Sequence, residues 1–353
     1  MAVPSMPFTT PHSKKGKLVS KLFDRLRLAG CAVALGAALS GPAALAADYP
    51  NRPVMMMVPY PAGGTSDAIA RVVAPPVSKQ LGQPVLVENL GGVSGALGAQ
   101  KVLAAKSDGY YLFQGSPNEL ILSPIANPAV KLKSEDFRLV QMIGMAPMVI
   151  VARSDLPAAT ADELVTLARS RSATQPLTFG SVGVGSLYHV LGEHLARTIG
   201  ANMVHVPYKG GAPLMQDLGG GQVDIAILPL SQQQMALAEQ GRVKLLASLD
   251  PQRSTLPALK AVPSVNEGQL LKGFNFTTWT GYFVKRDTPE AVVAQLQAAL
   301  NAAMQDPAVK QSLTYQNIEV SAPMSAEQAD TMYRAETERF REISSHVKLA
   351  GTP

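Results

Sequence analysis

Cysteine is almost absent from this sequence. The 353 residues contain one, Cys31, which lies near the N-terminus in a segment that we expect to be removed. A chain without further thiols forms no disulfides and holds no metal through cysteine ligands. The Leu28–Cys31 stretch resembles a lipoprotein cleavage box, but too few apolar residues separate Arg27 from Cys31 for an export core. We therefore predict a discarded cysteine and no metal or other cofactor.

An excess of positive charge is also absent once the N-terminus is set aside. A basic leader precedes an apolar stretch over 28–39, and Ala44-Leu45-Ala46 fits the small-x-small cleavage rule, which predicts a signal peptide over residues 1–46. Its removal takes six Lys/Arg from 31 and one Asp from 26, leaving 25 of each. A neutral protein has no field that attracts nucleic acid or an anionic membrane, so we expect neither partner.

Long hydrophobic runs are missing from the rest of the chain. No later segment reaches the roughly 18 apolar residues of a membrane span, although 46% of all residues are hydrophobic. The length exceeds that of a usual single core. We expect two α/β domains: domain 1 over residues 47–152 plus 272–353, and domain 2 over 153–271, with a ligand cleft between them.

Short apolar runs alternate with helical patterns from Arg52 onward. Such alternation is typical of βα units that form mostly parallel sheets flanked by helices. Residues 53–59 form the first predicted strand, and Pro75-Pro76 should kink or end the helix that follows. Residues 274–284 read as an extended segment that returns to the first domain before two C-terminal helices, predicted over 289–304 and 326–344.

Glycine-rich turns between a strand and a helix occur at three places. The first corner, residues 58–74, reads VPYPAGGTSDAIARVVA, and the second, residues 178–195, reads TFGSVGVGSLYHVLGEHL. The third corner, residues 206–218, reads VPYKGGAPLMQDL. Free amides at a helix N-terminus and the positive end of its dipole favour an anion. Because ligands bind outside the carboxyl ends of the strands, we expect the corners to hold a carboxylate, although one such turn alone is commonly geometric.

An ordered set of motifs carries a family resemblance over residues 48 to about 345. YPNRPV, VPYPAGGTSDAIAR, GQPVLVEN, SDGYYL, TFGSVGVGS, HVPYKGGAP, GQVDIA and TTWTGYFVKRDTPEAVV together resemble the tripartite tricarboxylate transporter receptor family, also called Bug receptors. Leu90-Gly91 departs from the Arg-Pro that the family commonly has there. The departure concerns the rim and the identity of the ligand more than the fold.

The resemblance implies a periplasmic two-domain binding protein of the Venus-flytrap type. It would capture a di- or tricarboxylate, an amino acid or an aromatic acid without catalysis, and deliver it to integral membrane transporter subunits, acting as a monomer. The implied ligand-binding residues come from both domains. They are Tyr60, Ala62, Gly63, Gly64, Ser66, Asp67, Ser181, Gly185, Ser186, Tyr208 and Asp224.

Several of these residues have a structural interpretation as well. Asp67 lies in a first helical turn, where it also stabilises the dipole by about 0.3–1 kcal/mol. Asp224 stands in an apolar strand, where an unpaired carboxylate is costly, which favours a site role. We expect Lys209 to face solvent, and Trp279 and Tyr282 to pack in the core.

Two enzymatic alternatives have weaker support. Residues 64–68 are one residue from a G-x-S-x-G nucleophile elbow, which would make the chain an exported serine hydrolase using Ser66. However, PYPAGG separates this serine from the strand that an elbow should follow directly. The glycines at 91, 92, 95 and 98 do not have the G-x-G-x-x-G spacing of a dinucleotide site.

Overall fold

Strands and helices alternate from Val54 to Ser248, as the apolar runs predict. The computed structural model describes Met1 and residues 49–345, so the predicted signal peptide and Cys31 lie outside the described residues. The strands are β1 (Val54–Val58), β2 (Val85–Asn89), β3 (Tyr111–Gly115), β4 (Phe137–Arg153), β5 (Leu177–Ser181), β6 (Met203–Pro207), β7 (Ile225–Pro229), β8 (Val243–Ser248), β9 (Thr277–Lys285) and β10 (Glu319–Val320).

Ten α-helices of the described residues cover these strands. They are α1 (Thr65–Leu81), α2 (Ala96–Ala104), α3 (Ser123–Ala126), α4 (Ala161–Arg171), α5 (Leu187–Ile199), α6 (Gly211–Gly219), α7 (Gln232–Glu239), α8 (Glu290–Gln305), α9 (Pro307–Tyr315) and α10 (Ala326–Ser345). A π-helical turn, Asn118–Leu122, leads directly into α3. The two predicted C-terminal helices are confirmed as α8 and α10.

The long strand β4 joins two sets of parallel strands. The sheet order is β2-β1-β3-β9-β4-β7-β5-β6, and β8 and β10 also pair with β4. Strands β2, β1 and β3 are parallel, as are β6, β5 and β7. β9 and β4 pair antiparallel from Phe137↔Lys285 to Pro147↔Thr277, and the remainder of β4 pairs antiparallel with β7 and β8. This mixed sheet confirms the α/β class.

Helix α1 corrects the expectation that Pro75-Pro76 ends the first helix early. The helix continues through both prolines to Leu81 and ends at Gly82, which adopts the left-handed conformation. Each proline removes one amide from the hydrogen-bond ladder, and its ring crowds the carbonyl four residues earlier, so the helix needs stabilisation from elsewhere. Burial of Ile69, Val73 and Val77 on one face stabilises the helix across this interruption.

None of the helices in residues 49–345 is long and apolar enough to cross a bilayer. The sheet core instead buries large side chains such as Phe113, Phe179 and Tyr282. The carboxyl ends of the parallel strands, and the loops that follow them, lie at the edge of this packed core.

Candidate functional site

A cavity lies where the loops after four strands meet. Most of the residues that line it belong to four segments at the ends of strands. These segments are residues 60–66 after β1, 114–119 at the end of β3, 210–215 after β6 and 228–234 at the end of β7. Strands β4 and β9 complete the wall, with Trp279 among the lining residues. The cavity volume of about 120 Å³ is several times the roughly 10–15 Å³ that one water needs. It sits at the strand ends where open α/β sheets bind ligands.

The first corner presents a helix N-terminus without a side-chain cap. Gly64 is the N-cap of α1 and supplies no side chain, and the amide of Ala68 is the first to bond within the helix, to Gly64 O at 3.0 Å. Gly64, Thr65 and Ser66 line the cavity. The orphan amides of the first helical turn and the positive end of the dipole therefore act on its contents.

Asp67 is turned towards its own loop. Its Oδ2 accepts from the amide of Gly63 at 3.0 Å and from Nε of Arg71 at 2.9 Å. Burial alone raises the pKa of Asp67, but the bonds from Arg71 and Gly63 outweigh it and lower the pKa. Asp67 is 5% exposed and is not among the cavity-lining residues, and Ala62 and Gly63 are exposed outside it. These residues fix the conformation of the turn.

The third corner presents a second uncapped helix N-terminus to the same cavity. Gly210 is the N-cap of α6 with φ 149°, and Gly211 and Ala212 line the cavity. A Cβ at Gly210 would lie 3.1 Å from Cδ of Pro61, so glycine permits the first and third corners to approach each other. Two helix dipoles thus end on one cavity.

Tyr208 and Lys209 of the third corner are directed elsewhere. The hydroxyl of Tyr208 donates to Oδ2 of Asp217 at 3.0 Å. Burial and this carboxylate raise the pKa of Tyr208 to about 12. Lys209 is exposed, as expected, and neither residue lines the cavity.

The second corner uses its polar groups internally. Oγ of Ser186 caps α5 by accepting from the amide of His189 at 3.3 Å. Oδ1 of Asn118 accepts from the amide of Leu187 at 2.7 Å, and Oγ of Ser181 lies 2.6 Å from Nε2 of His205. Both serines are fully buried, and neither lines the cavity. Their predicted contact with a ligand stays a prediction.

The second corner also packs directly on the loop that precedes α2. Oγ of Ser94 donates to the carbonyl of Val184 at 2.7 Å. A Cβ at Gly183, whose φ is 138°, would lie 2.6 Å from Oγ of Ser94. Gly185 donates its amide to Nδ1 of His189 at 3.1 Å. The glycines of this corner therefore serve close packing between two loops.

Asp224 lies at the opposite end of its strand from the cavity, immediately before β7. Its carboxylate accepts from Nε of Arg153 at 2.8 Å, from the amide of Thr178 at 2.7 Å and from Oγ1 of Thr178 at 3.0 Å. These donors satisfy the charge that the apolar surroundings would otherwise disfavour. Asp224 does not line the cavity, and its site role stays untested.

Sequence reasoning missed a buried polar group on the cavity wall. Glu119, in the π-helical turn, is 0% exposed, and its Oε2 accepts from the amide and the hydroxyl of Ser116 at 2.7 and 2.8 Å. Asn118 and Tyr188 line the cavity beside it, together with the predicted Tyr60. The signal available was position, since GSPNEL follows β3 at the same sheet edge as the glycine corners.

The hydrolase alternative depends on a base beside Ser66. The carbonyl of Ser66 accepts from Nε2 of Gln114 at 2.9 Å, and no histidine is among the described residues that line the cavity. A serine nucleophile needs a base within hydrogen-bond reach.

Comparison with known proteins supplies the family. The sequence profile of the Tripartite tricarboxylate transporter family receptor matches residues 69–349. The chain belongs to this receptor family. A Pseudomonas sp. relative, a UPF0065 protein in the tcbD-tcbE intergenic region, is 33% identical over 340 residues, 96% of this chain and 98% of the relative. Protein BugT of Bordetella pertussis is 32% identical over 76% of this chain and 81% of its own length.

Solved structures of similar receptors confirm the predicted binding-protein fold. MatC from Rhodopseudomonas palustris with bound malate has a TM-score of 0.77 at 28% identity, covering 84% of this chain and 99% of MatC. A second R. palustris protein, with adipate, has a TM-score of 0.75 at 28% identity, covering 84% and 98%. The periplasmic binding protein BugD has a TM-score of 0.72 at 30% identity, covering 84% and 99%. This receptor is thus a solute-binding protein of the Bug type.

Proposed function

We propose that this receptor binds a small carboxylate-bearing metabolite in the periplasm and delivers it to the integral membrane subunits of a tripartite tricarboxylate transporter. It does so as a monomer after export by a signal peptide in residues 1–46, and it makes and breaks no bond. The observation that carries the proposal is the convergence of two uncapped helix N-termini, those of α1 and α6, on one cavity.

The cavity is suited to an anion that is held by main-chain groups. Its described lining contains no Lys or Arg, so the free amides next to Gly64 and Gly210 are the groups that favour negative charge. The malate and adipate found in two similar R. palustris proteins are carboxylates. Thr65, Ser66, Gly211 and Ala212 are the residues that we expect to grip the acid.

Binding would proceed by closure of two lobes, residues 47–152 plus 272–353 and residues 153–271. In an open form the first and third corners separate, and the acid docks on one of them. Closure brings the other corner over it and forms contacts between lobes such as Ser94 with Val184 and Asn118 with Leu187. The closed surface is what membrane subunits would recognise.

Thermal unfolding of the mature protein with a panel of acids tests the proposal. Di- and tricarboxylates, amino acids and aromatic acids are added singly, and a cognate acid at 100 times its Kd should add about 2.7 kcal/mol to the free energy of unfolding. The methyl esters of the same acids are the matched controls, and we expect no stabilisation from them. A panel in which no acid raises the Tm would contradict the proposal, and a mass spectrum of co-purified small molecules gives independent identification.

A further inference from the structure

Glu119 is a fully buried acid with one satisfied and one unsatisfied oxygen. Ser116 donates two hydrogen bonds to Oε2, whereas Oε1 has no partner in the described part of the chain. The neighbouring hydroxyl of Tyr60 is buried and lies close enough to influence the pKa of Glu119, but it too forms no well-formed hydrogen bond within the described part of the chain. Both residues line the cavity. Buried polar atoms nearly always have a hydrogen-bond partner. Two such atoms without one on a cavity wall therefore point to a ligand group as the partner.

Within residues 49–345, no cationic side chain balances the charge of Glu119. The titratable side chains that face it are the phenols of Tyr60 and Tyr188, and burial and the Glu119 charge both raise the pKa of Tyr60 well above its ordinary value. Burial raises the pKa of Glu119 itself to about 7, although hydrogen bonding with Tyr60 and Ser116 acts to lower it. An ionised carboxylate in this position is therefore costly until a positive group arrives.

The position of Glu119 is fixed by close packing. Gly95, at φ 88°, lies so near Cγ of Glu119 that a Cβ there would collide with it. The acid therefore stays at the wall while the helix N-termini of α1 and α6 line the same cavity. One part of the cavity favours negative charge and another favours a positive hydrogen-bond donor.

We propose that Glu119 is the specificity-determining residue of this receptor and binds the ammonium group of the ligand, so that the substrate class is amino acids. This inference rests on the proposed carboxylate-binding function. The helix N-termini hold the carboxylate, and Oε1 of Glu119 accepts from the ammonium, with Tyr60 completing the polar contacts.

Charge balance selects an ammonium over the other groups. A second carboxylate facing Glu119 would bring two negative charges together in a cavity without Lys or Arg in its described lining. A hydroxyl would satisfy Oε1 but leave the buried charge uncompensated. An ammonium supplies both the donor and the opposite charge.

Matched acids that differ in one substituent test the selectivity. Isothermal titration at pH 8 compares aspartate with malate and succinate, alanine with lactate and propionate, and phenylalanine with phenyllactate and phenylpropionate. In any series that binds, we expect the amine-bearing member to bind at least about tenfold more tightly, the effect of one charge-assisted hydrogen bond. Equal or tighter binding of the hydroxy or unsubstituted acid overturns the assignment of Glu119 but leaves the carboxylate receptor intact. If no member of any series binds, both proposals fail.

The Glu119→Gln variant keeps the shape of the side chain and removes its charge. We expect about a tenfold or greater loss of affinity for the amino acid and no loss for the acid without the amine. Wild-type affinity for the amino acid should rise from pH 6 to pH 8 as Glu119 ionises, and this rise should vanish in the variant. Glu239→Gln, at an exposed position of α7, is the matched control.

The wild-type pH series keeps the inference testable if Glu119→Gln does not fold. Affinity that falls from pH 6 to pH 8 would mean that protonated Glu119 donates to a ligand carboxylate, and that result overturns the ammonium assignment. Unchanged affinity in the variant overturns it as well.

Discussion

The N-termini of α1 and α5 follow glycine-rich corners of similar composition but have opposite environments. The first turn of α1 has no side-chain cap and lines the cavity. The first turn of α5 is capped by Ser186, and its Leu187 amide donates to Oδ1 of Asn118. The difference lies in the N-cap residue, Gly64 in one case and Ser186 in the other. A glycine turn is therefore suited to binding an anion when the amides of the helix that follows stay free, and to packing when a side-chain hydroxyl accepts from those amides.

Removing one free amide from α1 should give the largest effect. Thr65→Pro deletes the amide of the first helical residue, where proline is tolerated, and Gly64 already has the extended conformation (φ −88°, ψ 174°) that a residue before proline requires. We expect a loss of about 1.5–3 kcal/mol in binding, roughly 10- to 150-fold in Kd, without loss of thermal stability. Titration with the cognate acid measures it.

Thr65→Ala is the control for that variant, because it retains the amide and loses the side chain. Its affinity should stay close to that of the wild type. Equal weakening by both substitutions would show that the threonine side chain, and not the amide, holds the ligand.

Lowering the pH should destabilise the second corner before it affects the first. His189 and His205 stack at 3.9 Å behind this corner, and burial lowers the pKa of His189 to about 4, although Glu193 lies 3.8 Å from its Nε2. Between about pH 6.5 and pH 4, His189 of the unfolded chain binds a proton that the folded protein excludes. The free energy of unfolding therefore decreases as the pH is lowered through this range. The slope is at most about 1.4 kcal/mol per pH unit for each histidine.

Urea unfolding of wild type and His189→Asn from pH 7 to pH 4 measures this slope. The variant should show a shallower decline, since its side chain does not titrate. Parallel curves for the two proteins would remove His189 from the acid response.

Removing the cap of α5 should have the smallest effect of these substitutions. It distinguishes the second corner from the first, because we expect it to change stability and not affinity. Ser186→Ala loses the bond to the amide of His189, which costs about 0.5–2 kcal/mol of stability. Because this hydroxyl does not line the cavity, we expect the affinity for the acid to stay unchanged. Denaturant unfolding and titration of the same preparation test both halves, and a clear loss of affinity would return Ser186 to the binding site.

Local patterns in the sequence were sufficient to predict much of the fold. The turn from β1 into α1 and the C-terminal helices α8 and α10 follow from periodicity and glycine placement. The full length of β4 does not follow from such patterns. Its earlier residues pair with β9, and that long-range pairing has no local signature.

Part of the cavity lining could be predicted from the sequence. Tyr60, Gly64 and Ser66, which the family resemblance implies as ligand-binding residues, line the cavity, and their contact with a ligand stays a prediction. Glu119 could not be identified in this way, because its burial depends on the packing of Gly95 and Tyr188 around it. Nor does sequence reveal that Asp224 is paired with Arg153, 71 positions away.

The 17-residue strand β4 makes the protein indivisible. One continuous stretch of main chain hydrogen-bonds to β7 of one parallel set and to β9, which in turn pairs with β3 of the other set. A fragment ending within this strand would expose an unpaired edge, which invites aggregation. We therefore expect the two sets to melt in a single cooperative step, even though the opening that we propose would separate them at the cavity.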